Sequence, residues 1–157
     1  MRKRAQSLKA YEKSLDKKLH NEAWRYRLRV RFQYAMHNID TNQRRSVMQC
    51  AVGVQTVAKI LRWYCMEAEG RSPVGYTRDF YEVTPGRCLA LIKAGIRQLK
   101  EHIQHNEAIG IDVQRRITVK PYIDYVRGVV ERWQQLCRER RQSGGDTPSP
   151  TTTTTPS

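Results

Sequence analysis

The first part of this sequence lacks the residues that interrupt helices. No glycine precedes Gly53 and no proline precedes Pro73 in a chain of 157 residues. Glycine and proline are the strongest breakers of regular secondary structure. Nothing in the first fifty residues therefore forces a break, and the Ala, Gln, Leu, Lys and Glu found there favour helix.

Long apolar runs are also absent. No run approaches the roughly 20 apolar residues that a membrane span needs. The first residues, MRKRAQSLKAYEKS, are basic, but no apolar core follows them as it does in a secretory signal. Leu, Ile, Val and Phe make up about a fifth of the chain, which is near the lower limit for a self-sufficient globular domain. We therefore expect another subunit or a ligand to supply part of the burial.

Cysteine is scarce and dispersed. The four cysteines are Cys50, Cys65, Cys88 and Cys137, and no two of them form a C-x-x-C pair. Zinc sites need closer spacing, and secreted disulfide frameworks place more cysteines in less chain. We expect buried free thiols; a disulfide between two helices is the alternative.

Motifs that carry catalysis are missing as well. The sequence contains no G-x-x-x-x-G-K-[ST] or G-x-G-x-x-G phosphate loop and no H-E-x-x-H zinc motif. His102 and His105 lie three residues apart in a helical segment, but two histidines without a third ligand are more typical of a solvated helix face. We predict a protein that is not an enzyme and that binds no metal or cofactor.

Acidic residues are the minority, and the basic excess is unevenly placed. The chain has 29 Lys and Arg against 15 Asp and Glu, a net charge of +14. Residues 1–45 carry 13 basic and 4 acidic residues, 46–83 carry 4 of each, and 111–142 carry 8 and 4. An excess of this size favours nucleic acid or an anionic membrane surface as the partner.

Helical patterns account for most of the sequence, so the predicted fold is all-α with about four helices. We interpret residues 5–38 as one long basic helix, with any bend at His20–Asn21. Asp40–Asn42 then supplies a turn and the N-cap of the next helix.

The second predicted helix carries the clearest periodicity, from Val47 to a C-cap at Gly70. Its apolar positions are alternately four and three residues apart, as in a heptad seam. Small residues in this helix allow a partner helix to approach closely. The segment that contains it, residues 46–83, has no net charge. We predict that this seam packs one subunit against another. The seam residues are Val47, Ala51, Val54, Ala58, Leu61 and Cys65.

Two more helices complete the predicted fold. The third begins at Thr84–Pro85, a cap followed by proline at the first helical position, and ends by Gly110. The last begins at Pro121 and runs to about Gln142. Residues 111–120, IDVQRRITVK, are short and rich in branched side chains, so we expect an extended connector or a strand there.

These patterns divide the chain into three parts. Residues 1–45 form a basic N-terminal arm and nucleic-acid-binding helix, and residues 46–142 form a helical packing domain. Residues 143–157 form a Thr/Pro-rich, low-complexity tail that is typical of extended chain. A helix-turn-helix needs two short helices joined by a tight turn, and it is disfavoured because residues 84–109 look like one uninterrupted helix.

The segment WRYRLRVRF, residues 24–32, alternates arginine with apolar residues. Strict alternation is typical of a half-buried strand, but the flanking sequence favours a helix. In a helix, the apolar residues align as one stripe and the arginines lie on its two flanks. The stripe is Trp24, Leu28, Phe32 and Ala35; one flank is Arg25 and Arg29, and the other is Arg27 and Arg31.

Arginines on both sides of a packing stripe suit contacts with phosphate groups. A solvated amphipathic helix is the simpler alternative. Phosphate contacts ignore base sequence and weaken steeply with salt. The predicted nucleic-acid-binding residues are Arg2, Lys3, Arg4, Lys9, Lys13, Lys17, Lys18, Arg25, Arg27, Arg29, Arg31, Arg44, Arg45, Arg115 and Arg116.

A long basic N-terminal helix, a small-residue seam, further helices and a Thr/Pro tail together resemble the major coat proteins of filamentous archaeal viruses. The resemblance covers the architecture of residues 1–142. It implies helical subunits that pair, with another copy or a paralogous coat protein, and wrap linear double-stranded DNA in a helical filament. It also implies location in the virion, and inside the host cell during assembly, and contact with an outer membrane envelope in the enveloped kinds.

Three functions therefore remain open at this level. The first is a structural virion protein that packages double-stranded DNA without reading its sequence, although the charge pattern fits RNA as well. The second is a nonstructural nucleic-acid-binding protein, either a small regulator or the helical small subunit of an RNA-guided complex. The third is a helical interaction module on an anionic membrane.

Overall fold

The all-α prediction is confirmed by the computed structural model, which describes residues 21–43, 46–108 and 114–142, together with Ala10 and Lys13. Side chains are described for all of these except 106–108 and 114–118. The described residues contain five helices and no strand, and four of the helices are long. They are α1 (Glu22–Asp40), α2 (Val47–Ala68), α3 (Tyr76–Tyr81), α4 (Pro85–Ala108) and α5 (Gln114–Gln142).

Side-chain oxygens cap the N-termini of three helices, as short polar residues commonly do. Asn21 Oδ1 accepts a hydrogen bond from the Trp24 amide at 2.9 Å and so starts α1. Thr84 Oγ1 accepts one from the Arg87 amide at 3.1 Å, which confirms the predicted start of α4. The cap of α2 is Ser46, not a residue of the predicted segment 40–42.

The prediction of one continuous helix over 5–38 is wrong at Asn21. This residue has extended backbone angles, φ −92° and ψ 121°, so α1 starts after it. The break falls where a bend was allowed, because the asparagine side chain competes with helical hydrogen bonding and caps the next turn instead. Most of residues 5–20 lies outside the described residues, as do residues 109–113 and 143–157.

The start of the last helix was also predicted wrongly. Helix α5 begins at Gln114, and Pro121 lies inside it. Proline removes one helical hydrogen bond and normally ends or kinks a helix. Packing overrides this preference here, because Val119 before the proline and Tyr125 after it are both buried.

Helix α2 is the centre of the fold. It packs against α1, α4 and α5, whereas α4 and α5 make few contacts with each other. Thirteen of its 22 residues are buried. A single central helix therefore supplies most of the apolar surface that the other long helices cover.

This arrangement contradicts the prediction that the α2 seam packs one subunit against another. Its six residues are at most 1% exposed in the single chain, so none of them presents surface to another subunit. Their periodicity matched a subunit seam because a helix packed against its own chain uses the same spacing. Val47 and Ala51 pack with Leu99 of α4, and Cys65 lies near the backbone of Val129 in α5.

Candidate nucleic-acid interface

Helix α1 carries the arginine-rich segment, and its apolar stripe is buried as predicted. Leu28, Phe32 and Ala35 are at most 6% exposed, and Trp24 is half-buried against the same core. Because the stripe faces inward, the two arginine flanks lie beside it. Their environments differ.

Arg25 and Arg29 point toward α3 and pack on aromatic rings. The Arg25 guanidinium lies 5.7 Å from the ring centre of Trp63 and 5.8 Å from that of Tyr76. These are distances typical of cation–π contacts. The Arg25 guanidinium is therefore engaged by aromatic side chains of its own chain.

The Arg29 side chain makes two contacts of its own. Its guanidinium lies 5.5 Å from the centre of the Phe80 ring, and its Nη2 lies 3.5 Å from Glu82 Oε2. Since the fold occupies this group as well, we leave Arg25 and Arg29 out of the candidate interface.

Arg27 and Arg31 lie on the opposite flank and are exposed. On the same outward face, Val30 is 66% exposed and Tyr34 is 55% exposed. This flank combines exposed cations with apolar and aromatic surface.

Helix α4 carries a row of cations that the sequence analysis missed. Lys93, Arg97 and Lys100 are all exposed and lie at i, i+4 and i+7, on one face of the helix. Leu91 and Leu99 on the other side are buried. Among the described acidic side chains, none forms an ion pair with these three residues. Their spacing was the signal that could have revealed the row.

A groove between α4 and α5 brings cations of both helices together. Lys100, Lys120 and Arg127 line it, above apolar side chains such as Leu99 and Ile123. Lys120 is ion-paired with Asp124 at 2.9 Å within α5. Lys100 of the α4 row and Arg127 thus line the same groove, together with the Lys120–Asp124 pair.

Most other predicted binding residues are not described. Among them, Lys13 is an exposed helical residue and has a described side chain. Arg115 and Arg116 lie in the first turn of α5, but their side chains are outside the described set. The remaining predicted residues, Arg2, Lys3, Arg4, Lys9, Lys17, Lys18, Arg44 and Arg45, lie outside the described residues altogether.

Several cations serve the fold instead. Arg87 of α4 is ion-paired with Asp40 at the end of α1. Arg132 of α5 and Arg71 both donate hydrogen bonds to the Glu69 carboxylate, at 2.7 and 2.9 Å. These pairs join neighbouring elements and remove three cations from those available to a ligand.

Two buried cysteine side chains among the described residues have raised pKa values. Burial raises the pKa of the Cys65 and Cys88 thiols to about 12, so neither is a thiolate nucleophile near neutral pH. All four cysteines are free thiols as expected, but only Cys65 and Cys88 are buried, whereas Cys50 and Cys137 are half-buried. Within the described residues, no cluster of three or more His, Cys, Asp or Glu could hold a metal ion.

No helix in the described part of the chain has the length and apolarity needed to cross a membrane. Comparison with protein-family models, curated proteins and solved structures finds no match for this chain. Any assignment of function therefore rests on the surface itself.

Proposed function

We propose that this protein is a structural virion protein that binds linear double-stranded DNA without reading its sequence and packages it in a helical nucleocapsid. The basic surplus of +14 supports a polyanionic partner. The exposed cations of α1 and α4 lie on outward helix faces, where a long ligand can reach them. Most residues of the central helix α2 are buried and do not contribute to this surface.

The observation that carries the proposal is the row Lys93, Arg97 and Lys100. Seven residues of helix span about 10 Å, and one strand of a duplex passes about three phosphates in that distance. Lysine offers a point charge and arginine a fork that binds phosphate oxygens. Such a row contacts the backbone and carries no means of distinguishing bases.

Replacing the central cation of the row tests this role. We expect Arg97→Gln to reduce the slope of log K against log salt by about 0.9 and to weaken duplex binding about fivefold at 0.15 M salt. Fluorescence anisotropy with short duplexes of unrelated sequence measures both quantities. The loss should be the same for every sequence.

Arg71→Gln is the matched control. It removes the same unit of charge, but from a side chain that donates to Glu69 rather than from the row. We expect its salt slope to equal that of the unaltered protein. Equal slopes for Arg97→Gln and Arg71→Gln would show that only net charge matters and would remove the row from the interface.

A further inference from the structure

Helix α2 has two sides with different neighbours. Val47, Ala51 and Val54 are at most 1% exposed and pack toward α4 and α5. Val52, which is 42% exposed, and Thr56 line an open groove between α2 and α1. At 3.6 residues per turn, the two sets lie about 150° apart around the helix. The groove is therefore on the side of α2 that faces away from α4 and α5.

The outward flank of α1 borders this groove. Val30, Arg31 and Tyr34 line it. Arg27 lies one turn before Arg31 on the same flank. None of the described residues that line the groove is acidic. Among the described acidic side chains, none is ion-paired with Arg27 or Arg31. We call Arg27, Arg31 and the groove beside them the α1–α2 face.

A second group of exposed cations lies on α4 and α5. Gly95 marks the side of α4 that approaches α2 most closely. Helical geometry places the row Lys93, Arg97 and Lys100 about 150° from that side, so the row points away from α2. Lys100 also lines the groove between α4 and α5, together with Arg127 of α5. We call these four cations the α4–α5 face.

The two faces are on opposite sides of the molecule, with a layer of helix under each. A helix with its side chains is about 10–12 Å wide, so about 20 Å of protein separates the two sets of cations. To reach both faces, one duplex segment would have to reverse its direction within about 20 base pairs. Duplex DNA has a persistence length of about 150 base pairs and resists such a bend. One nearly straight segment therefore contacts one face at a time.

We propose that one copy of the protein binds two duplex segments at the same time, one on each face, and so bridges them. Each face offers exposed cations on an outward helix surface, which suits phosphate contacts that ignore base sequence. A molecule of net charge +14 between two polyanions also offsets the repulsion between them. This inference rests on the proposed function in one respect, namely that the partner is double-stranded DNA. In a helical nucleocapsid, the two segments are neighbouring turns of one coiled duplex.

A sandwich capture with the full chain tests bridging. A duplex of about 30 base pairs is fixed on beads, and the protein is added at about 0.05 M NaCl, where phosphate contacts are strong. A fluorescent duplex of unrelated sequence follows. We expect the beads to retain the fluorescent duplex. Retention should fall again when the protein is in large excess, because separate copies then cover each duplex.

A variant of one face separates bridging from binding. Arg27→Gln with Arg31→Gln removes the cations of the α1–α2 face and leaves the α4–α5 face intact. Because the α4–α5 face carries more cations and binds more tightly, the affinity for a single duplex, measured by fluorescence anisotropy, should stay within about twofold. Unchanged binding also shows that the variant is folded. Its retention of the fluorescent duplex in the sandwich should fall at least about tenfold.

Arg71→Gln with Arg78→Gln is the control, because it removes the same charge from exposed residues outside both faces. It should bridge like the unaltered protein. Bridging by paired copies would need only one face in each copy, so the α1–α2 variant would then still bridge.

Three results would overturn the inference. The unaltered protein could bind duplexes without joining them, the α1–α2 variant could bridge as well as the control, or that variant could lose its binding to single duplexes. Each of these leaves the proposed function in place. An unaltered protein that binds no duplex would instead refute the proposed function, and the inference with it.

Discussion

Glu69 joins the end of α2 to α5 through one carboxylate. It follows the last residue of α2, accepts hydrogen bonds from Arg132 of α5 and from Arg71, and its side chain is only 13% exposed. Burial alone would raise the pKa of this carboxyl group. The hydrogen bonds from Arg132 and Arg71, together with the positive charges of Arg62 and Arg132, outweigh burial, so the pKa lies below its ordinary value of 4.5.

We expect Glu69→Gln to lower the free energy of unfolding by about 1 kcal/mol at neutral pH. A depressed pKa means that the contribution is complete above 4.5 and is lost as the pH falls through the folded-state pKa. Urea denaturation at pH 7 and near pH 3 measures the difference. Glu131→Gln, at an exposed position of α5, is the charge-matched control. A deficit of equal size at both pH values would contradict this explanation.

The arginines of residues 24–32 show how far single residues can be predicted. The buried stripe and the two flanks follow directly from helical geometry. The choice between flanks does not follow from that geometry, because it depends on α3, a six-residue helix that lies between the second and third predicted helices. Arg25 and Arg29 pack on its rings and on Trp63, whereas Arg27 and Arg31 face outward.

At the scale of helices, Gly95 sets the closest approach between α4 and its neighbours. A Cβ at this position would lie 2.6 Å from Val54 Cγ2 and 3.3 Å from Ile39 Cδ1. Val54 is 1% exposed and its side chain is stiff, so it cannot move aside easily. The crossing of α4 over α2 and α1 therefore requires glycine.

Gly95→Ala and Gly53→Ala should change stability in opposite directions. Alanine gains about 1 kcal/mol of helix propensity at either site. At Gly95 the overlap outweighs this gain, and we expect a net loss of about 1–3 kcal/mol. At Gly53 the new methyl group meets only an ordinary contact, so we expect a gain of up to 1 kcal/mol. Thermal unfolding followed by circular dichroism measures both, and changes of the same sign would contradict the packing described.

The existence of the long helices was predictable, but their partners and some ends were not. Capping signals at Thr84–Pro85 and apolar periodicity in α2 are local and visible in the sequence. Whether the α2 seam faces its own chain or another subunit depends on α4 and α5, which are distant in sequence. The prediction that the last helix begins at Pro121 failed for a related reason. Buried residues on both sides of the proline keep α5 helical, although proline locally favours a helix end.

At the scale of the whole molecule, the neutral centre and the basic exterior are separated in space as they are in sequence. We propose that the exposed cations of α4 and α1 contact phosphate groups on this exterior. Packaging of DNA by this protein therefore requires contiguous coverage of the duplex.

A regulator and a coat protein differ in how the amount of bound protein depends on the length of the DNA. A regulator saturates at a defined site, so the amount bound does not depend on the length of the flanking DNA. A packaging protein covers the strand, so the amount bound rises in proportion to length. An anionic-membrane module would bind vesicles that DNA fails to displace.

Electron microscopy of the full chain mixed with long linear duplex DNA at low salt tests the central claim most directly. We predict continuous filaments of uniform width, protein bound in proportion to DNA length for unrelated sequences, and disassembly as the salt concentration rises. Bare DNA carrying isolated particles, or saturation at a fixed number of copies whatever the length, would contradict the account.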